Sequence, residues 1–185
     1  MSHPNILAVS NCLLVVVDMQ DSLLRFIHES EKVAANTIKL VEAAKVLDVP
    51  VLTTVQYRQK LGVTTQAIAD ILPVGTLEID KTSFSCLGSE AFNEALSRYK
   101  KKQVMLAGIE THVCISQTAH DLLNSEYSVH VACDAVSSRT SENRAVGLQK
   151  MASSGCIITS TEMAIFEMIK DSTSPLFKRI LPLIK

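Results

Sequence analysis

The sequence predicts an α/β fold: a doubly wound three-layer α/β/α sandwich around a mostly parallel six-stranded sheet. Two observations predict it. Short apolar runs alternate with longer amphipathic stretches along the chain. The core must also be aliphatic, because hydrophobic residues make up 47% of the chain, aromatics only 4%, and Trp is absent. Aliphatic strands suit a parallel sheet covered by helices on both faces. At 185 residues the chain suits one domain, 1–185, long enough to bury roughly 70% of the surface an unfolded chain exposes.

Residues 13–17 (LLVVV) read as a strand buried on both faces. A helix follows over 31–47, its apolar face made by Val33, Ile38, Leu40, Val41, Ala44 and Leu47. Pro50 opens a second strand at 51–55. From 56 to 76 the pattern loosens around Gly62, Pro73 and Gly75, predicting a long connection with at most one short helix near 67–71. Connections of that length in a compact domain tend to be functional. Residues 77–80 form a short strand ending at Lys81, and Ser89 caps a helix that runs to Tyr99. The next buried strand is 103–107, followed by a helix over 111–125, a strand at 129–132 and a polar loop at 134–140. A helix over 141–153 and a strand at 156–159 come next. Ser160 caps a helix over 162–169, and 175–184 reads as one more amphipathic helix.

A formal net charge of −1 leaves no electrostatic footprint for nucleic acid or an anionic membrane. The basic run Lys100-Lys101-Lys102 falls where a helix gives way to a strand, a position that favours cations for structural reasons. Five scattered cysteines without a C-x-x-C argue against a disulfide framework and a zinc site. Reduced thiols imply a cytoplasmic setting. The first ten residues, MSHPNILAVS, lack the features of a signal peptide, and the longest apolar run is too short to cross a bilayer.

In open parallel sheets, ligands bind beyond the carboxyl ends of the strands. Three reactive groups fall there: Asp18 after 13–17, Lys81 after 77–80, and Cys114 shortly after 103–107. A helix start and a nearby ammonium both lower a thiol pKa, so Cys114 is expected to be activated as thiolate. A carboxylate could accept the thiol proton and return it to a leaving group. Taken singly, Asp18 could cap a turn, Lys81 could be a solvated edge charge and Cys114 could be packing. Their shared place at strand ends favours chemistry.

The segments LLVVVDMQ (13–20), IDKTSFSC around Lys81, and GIETHVCISQTAHDLL (108–123) resemble the isochorismatase-like cysteine hydrolases. VHVACDAVSSRT is similar to the strand and loop that follow in that family. The resemblance runs from about 13 to 169 and is nearest the small isochorismatase-domain-containing proteins. It implies Asp18 as general base and acid, Lys81 as electrostatic partner and Cys114 as nucleophile. It also implies a cis peptide between Ile109 and Glu110, with the backbone N–H groups of Glu110 and Cys114 as an oxyanion hole. The implied reaction is hydrolysis of an amide-type substrate through a thioester.

Related nicotinamidases bind a metal with an Asp and several His after the second strand. Residues 56–62 (QYRQKLG) offer neither, so no metal and no cofactor are expected. True isochorismatases cleave a vinyl ether by acid catalysis without this cysteine, so Cys114 argues against that substrate. His112 lies two residues from Cys114, about 200° around a helix, and is not expected to pair with it. Gln20, Phe26, Tyr57, Phe84 and Ile115 are candidate pocket residues. The expected partner is a small molecule with a neutral acyl group. A homo-oligomer is also expected, on the resemblance and on the apolar stripe Phe177-Ile180-Leu181-Leu183-Ile184, although such a stripe serves equally well to pack on its own domain. Two alternatives stay open: a catalytically weak member acting as a ligand-binding or assembly module, and a redox-active thiol protein without a C-x-x-C partner.

Overall fold

Residues 3–185 are described by the computed structural model. The strands are β1 (Cys12–Val17), β2 (Val51–Gln56), β3 (Leu77–Lys81), β4 (Gln103–Ile109), β5 (Ser128–Ser137) and β6 (Ile157–Thr159). They form one sheet in the order β3-β2-β1-β4-β5-β6. Each of these pairings is parallel, so the sheet is wholly parallel rather than mostly so.

The LLVVV run explains the layering. Successive side chains of a strand point to opposite faces. Leu14 and Val16 enter one core while Leu13, Val15 and Val17 enter the other, and all five are fully buried. Burial of each such side chain stabilises the fold by roughly 1.5–3 kcal/mol. The helices are α1 (Asp21–Leu24), α2 (Ser30–Leu47), α3 (Arg58–Leu61), α4 (Gln66–Ala69), α5 (Glu90–Tyr99), α6 (Ser116–Asn124), α7 (Ser141–Ser153), α8 (Thr161–Ile169) and α9 (Phe177–Ile184). Val33 and Leu40 of α2, Ile165 of α8 and Ile180 of α9 fill the first core; Phe92 of α5, Leu122 of α6 and Met151 of α7 fill the second. Ser89 and Ser160 cap α5 and α8, accepting from the N–H groups of Phe92 (3.4 Å) and Met163 (3.2 Å).

Four expectations are corrected. The strand expected to stop at Ala132 continues to Ser137, its register with β4 shifting around Leu106 and Gly108. Asp134 interrupts the apolar pattern there because its carboxylate accepts from the N–H and hydroxyl of Thr161 at the start of α8. The helix expected from Thr111 opens instead as a wide π turn, Thr111–Ile115, before α6. The short helices α1 and α3 fall in stretches too brief to carry a period. Finally, the α9 stripe is not free for a partner: Ile180 is fully buried, and Phe177, Leu183 and Ile184 pack on the same core as α2.

Candidate active site

The strand order reverses between β1 and β4, which opens a crevice at their carboxyl ends. Asp18 follows β1 directly, and the Cys114 turn follows β4. Lys81 ends β3, two strands away, and reaches back toward them.

Asp18 has a left-handed backbone (φ 53°), a conformation that Asp tolerates better than most residues. Its N–H donates to Thr54 O at 3.0 Å and its carbonyl accepts from Gln20 N–H at 2.8 Å. The side chain is buried between two donors: the Thr54 hydroxyl donates to Oδ1 at 2.7 Å and Lys81 Nζ to Oδ2 at 2.7 Å. Lys81 Nζ also has Gln56 Oε1 at 2.7 Å, Ser83 O at 3.2 Å and Phe84 O at 3.3 Å. An ammonium has three protons to donate, so these four acceptors saturate it. Burial is the largest single influence on Lys81 and would lower its pKa; the Asp18 carboxylate, together with Cys114 and Cys86, offsets it and holds the ammonium above its ordinary value.

Cys114 sits in the π turn, where Glu110 O accepts from the N–H groups of Val113 (3.0 Å) and Ile115 (3.2 Å). The turn packs closely on α7 at Gly147, where a Cβ would lie 3.0 Å from Thr111 O. Residues after β5 latch its start. Arg139 donates from Nε (3.1 Å) and backbone N (3.2 Å) to Glu110, and His112 Nδ1 pairs with Ser138 Oγ at 2.9 Å. The Ile109–Glu110 peptide is cis. Burial first, then the Asp18 charge, push the Cys114 thiol well above its ordinary pKa; Lys81 pulls the other way and is outweighed. The expected thiolate is therefore a resting thiol, because burial and the Asp18 carboxylate together outweigh the Lys81 ammonium.

A cavity of about 170 Å³ opens on these groups, lined by Asp18, Gln56, Glu110 and Cys114 with Leu23, Leu61, Phe84, Ile109 and Val113. Asp18 and Cys114 thus meet in one space, with Lys81 behind the carboxylate. Of the five pocket candidates, Phe84 lines the cavity. Gln20 is fully buried behind it, donating to Gln56 O (3.0 Å) and Gly62 O (2.8 Å) and accepting from Gln56 N (2.7 Å). Ile115 is buried in the core; Phe26 and Tyr57 are exposed, beside Arg25 and Lys60. Gln56 is a wall residue that sequence reasoning missed. The rule that found Asp18 and Lys81 applied to it equally, since it stands directly after an apolar run. Leu23 and Leu61 come from short helices with no periodic signal.

The family model for the isochorismatase domain matches residues 12–163. The chain belongs to the isochorismatase family. The secreted isochorismatase effector Isc1 of Phytophthora sojae is 42% identical over 176 residues, covering 94% of this chain and 84% of that protein. Isochorismatase domain-containing protein 2 of Rattus norvegicus is 37% identical over 174 residues, covering 94% and 80%. A solved structure described as the MAR1 ribonuclease of Caenorhabditis elegans superposes with a TM-score of 0.92 at 34% identity, covering 97% of this chain and 92% of its own. Sheet order, flanking helices and these matches together make this an isochorismatase-family hydrolase fold.

Proposed function

We propose that this isochorismatase-family chain is a cysteine hydrolase that cleaves a small, neutral amide-type substrate through a thioester on Cys114. One observation carries the reading: the Cys114 thiol and the Asp18 carboxylate line the same cavity, and the carboxylate is already paired to a saturated ammonium. Because the resting thiol is protonated, Asp18 takes its proton as sulfur attacks the carbonyl carbon. The backbone N–H groups of Glu110 and Cys114 stabilise the oxyanion. Asp18 then protonates the departing nitrogen, the C–N bond breaks and the thioester remains. Water enters, gives a proton to Asp18 and attacks the thioester; the acid leaves and Cys114 recovers its proton. Lys81 keeps its charge throughout and steadies the carboxylate.

The walls favour an uncharged acyl group. Leu23, Leu61, Phe84, Ile109 and Val113 are apolar, and Arg139 engages Glu110. A cavity of about 170 Å³ suits a small molecule. Intact-mass spectrometry after incubation with an amide panel tests the reading. An acyl adduct is expected on the wild type and absent from Cys114→Ala, with Asp18→Asn slowed at least ~10²-fold. Full turnover by Cys114→Ala would sink it, while binding of the same amides without any adduct or turnover selects the ligand-binding alternative.

A second reading comes from the name of the C. elegans relative, a ribonuclease. The narrow apolar cavity and a net charge of −1 weigh against RNA here. Cleavage of an RNA substrate that survives in Cys114→Ala but fails in wild type stripped of divalent ions would reverse that preference. The same proposal includes self-association through exposed apolar residues such as Phe26 and Val63, to be read by light scattering. It places the chain in the cytoplasm, where its five free cysteines stay reduced. No helix among the described residues is long and apolar enough to cross a membrane.

A further inference from the structure

We infer that Gln56 is a positioning residue: it holds the Lys81 ammonium against Asp18 and so sets how readily that carboxylate takes a proton. The inference builds on the hydrolase reading but rests on its own geometry. Gln56 ends β2 directly opposite Lys81 in the parallel register. Its side chain spans two groups of opposite character, with Oε1 accepting from Lys81 Nζ at 2.7 Å and Nε2 donating to Thr82 O at 2.7 Å. That pairing fixes the amide's orientation, because an ammonium only donates and a carbonyl only accepts.

The backbone of Gln56 is held as firmly as its side chain. The buried Gln20 side chain grips it from both ends, accepting from its N–H at 2.7 Å and donating to its carbonyl at 3.0 Å. The amide is therefore aimed at Nζ by two independent anchors. Its neutrality matters. A neutral acceptor shares the ammonium without competing for it as a second anion, so the charge of Lys81 stays with Asp18 Oδ2, also at 2.7 Å. Other titratable groups around the carboxylate are Cys114 and the buried Cys86, with Glu110 on the cavity wall already paired to Arg139.

Replacing Gln56 with Glu puts a second carboxylate on Nζ and divides its charge, so Asp18 becomes easier to protonate. Gln56→Met keeps much of the volume, removes the tether and leaves Nζ free to turn toward Ser83 O and Phe84 O. The full-length protein labelled with [γ-¹³C]aspartate is titrated by NMR, and the Asp18 signal is assigned by its loss in Asp18→Asn. The Asp18 midpoint is expected to rise by about one pH unit in Gln56→Glu and about half a unit in Gln56→Met. Where an amide is turned over, the acid limb of kcat/KM is expected to move with it. Identical Asp18 midpoints in wild type and both variants, with only the melting temperature lowered, would overturn the inference and leave Gln56 structural. NMR reads Asp18 without substrate, so absence of turnover defeats the hydrolase reading alone.

Discussion

Cys114 shows how burial can reverse a rule that holds at the surface. A helix start and a nearby cation activate exposed thiols, yet here burial and the Asp18 carboxylate push the thiol up despite Lys81. The resting protein is consequently expected to react slowly with iodoacetamide at pH 7, more slowly than a free thiol, and faster as pH rises. Peptide mapping of Cys114 against time checks this; rapid labelling at pH 6 would mean that a standing thiolate exists. Thr54 offers a second test on the same carboxylate. Its hydroxyl is the donor on Asp18 Oδ1 at 2.7 Å, and both residues are buried. Thr54→Val preserves shape and strips that donor, which should cost about 1.5–3 kcal/mol by urea denaturation. Thr54→Ser, which keeps the hydroxyl, should recover most of it.

At the scale of an element, β4 and the turn it feeds depend on one glycine. Gly108 pairs with Val17 and has φ 113°; a Cβ there would lie 2.1 Å from Val17 O, backbone that cannot yield without moving β1. Gly108→Ala should destabilise the fold by more than about 3 kcal/mol and misplace Cys114 relative to Asp18. Gly62, with φ 84° but nothing within 4 Å, is the comparator, expected to cost only about 1 kcal/mol as Ala. Equal losses in thermal melts of the two variants would show that close approach at Gly108 is unimportant. The same contrast explains what was legible. Buried strands announce themselves as apolar runs, and α2, α5 and α7 as periodic stretches long enough to count. The π turn at 111–115 has no distinguishing period, because its widened winding is set by packing on Gly147 and by Glu110 O accepting twice. The far end of β5 was hidden by Asp134, whose partner lies 27 residues away at Thr161.

For the whole molecule, the residues at strand ends were readable because a doubly wound sheet gathers such positions into one crevice, whatever lies between them in sequence. The walls were not, since Leu23 and Leu61 reach the cavity from turns whose placement depends on tertiary contact. Neither was the role of His130. From sequence it is a surface or a packing residue alike; it lies fully buried in β5 with Nδ1 unpartnered and Nε2 3.4 Å from Ser128 Oγ. Burial lowers its pKa from the ordinary 6.5 to about 4, so the folded chain keeps the imidazole neutral where the unfolded chain protonates it. Its contribution is fully present above pH 6.5 and drains away as pH falls from there through 4, for a loss of roughly 3 kcal/mol. On the alkaline side the buried thiols act in the opposite sense. Burial raises Cys12 to about 12 and Cys86 and Cys156 to about 11, so stability holds below pH 9 and declines above it. Stability should therefore form a plateau between about pH 6.5 and 9, bounded by one histidine and several cysteines rather than by surface ion pairs. Urea midpoints of wild type and His130→Leu at pH 4.5 and 7.5 test the acid edge. The variant should lose clearly less between the two pH values, and equal losses would place the acid sensor elsewhere.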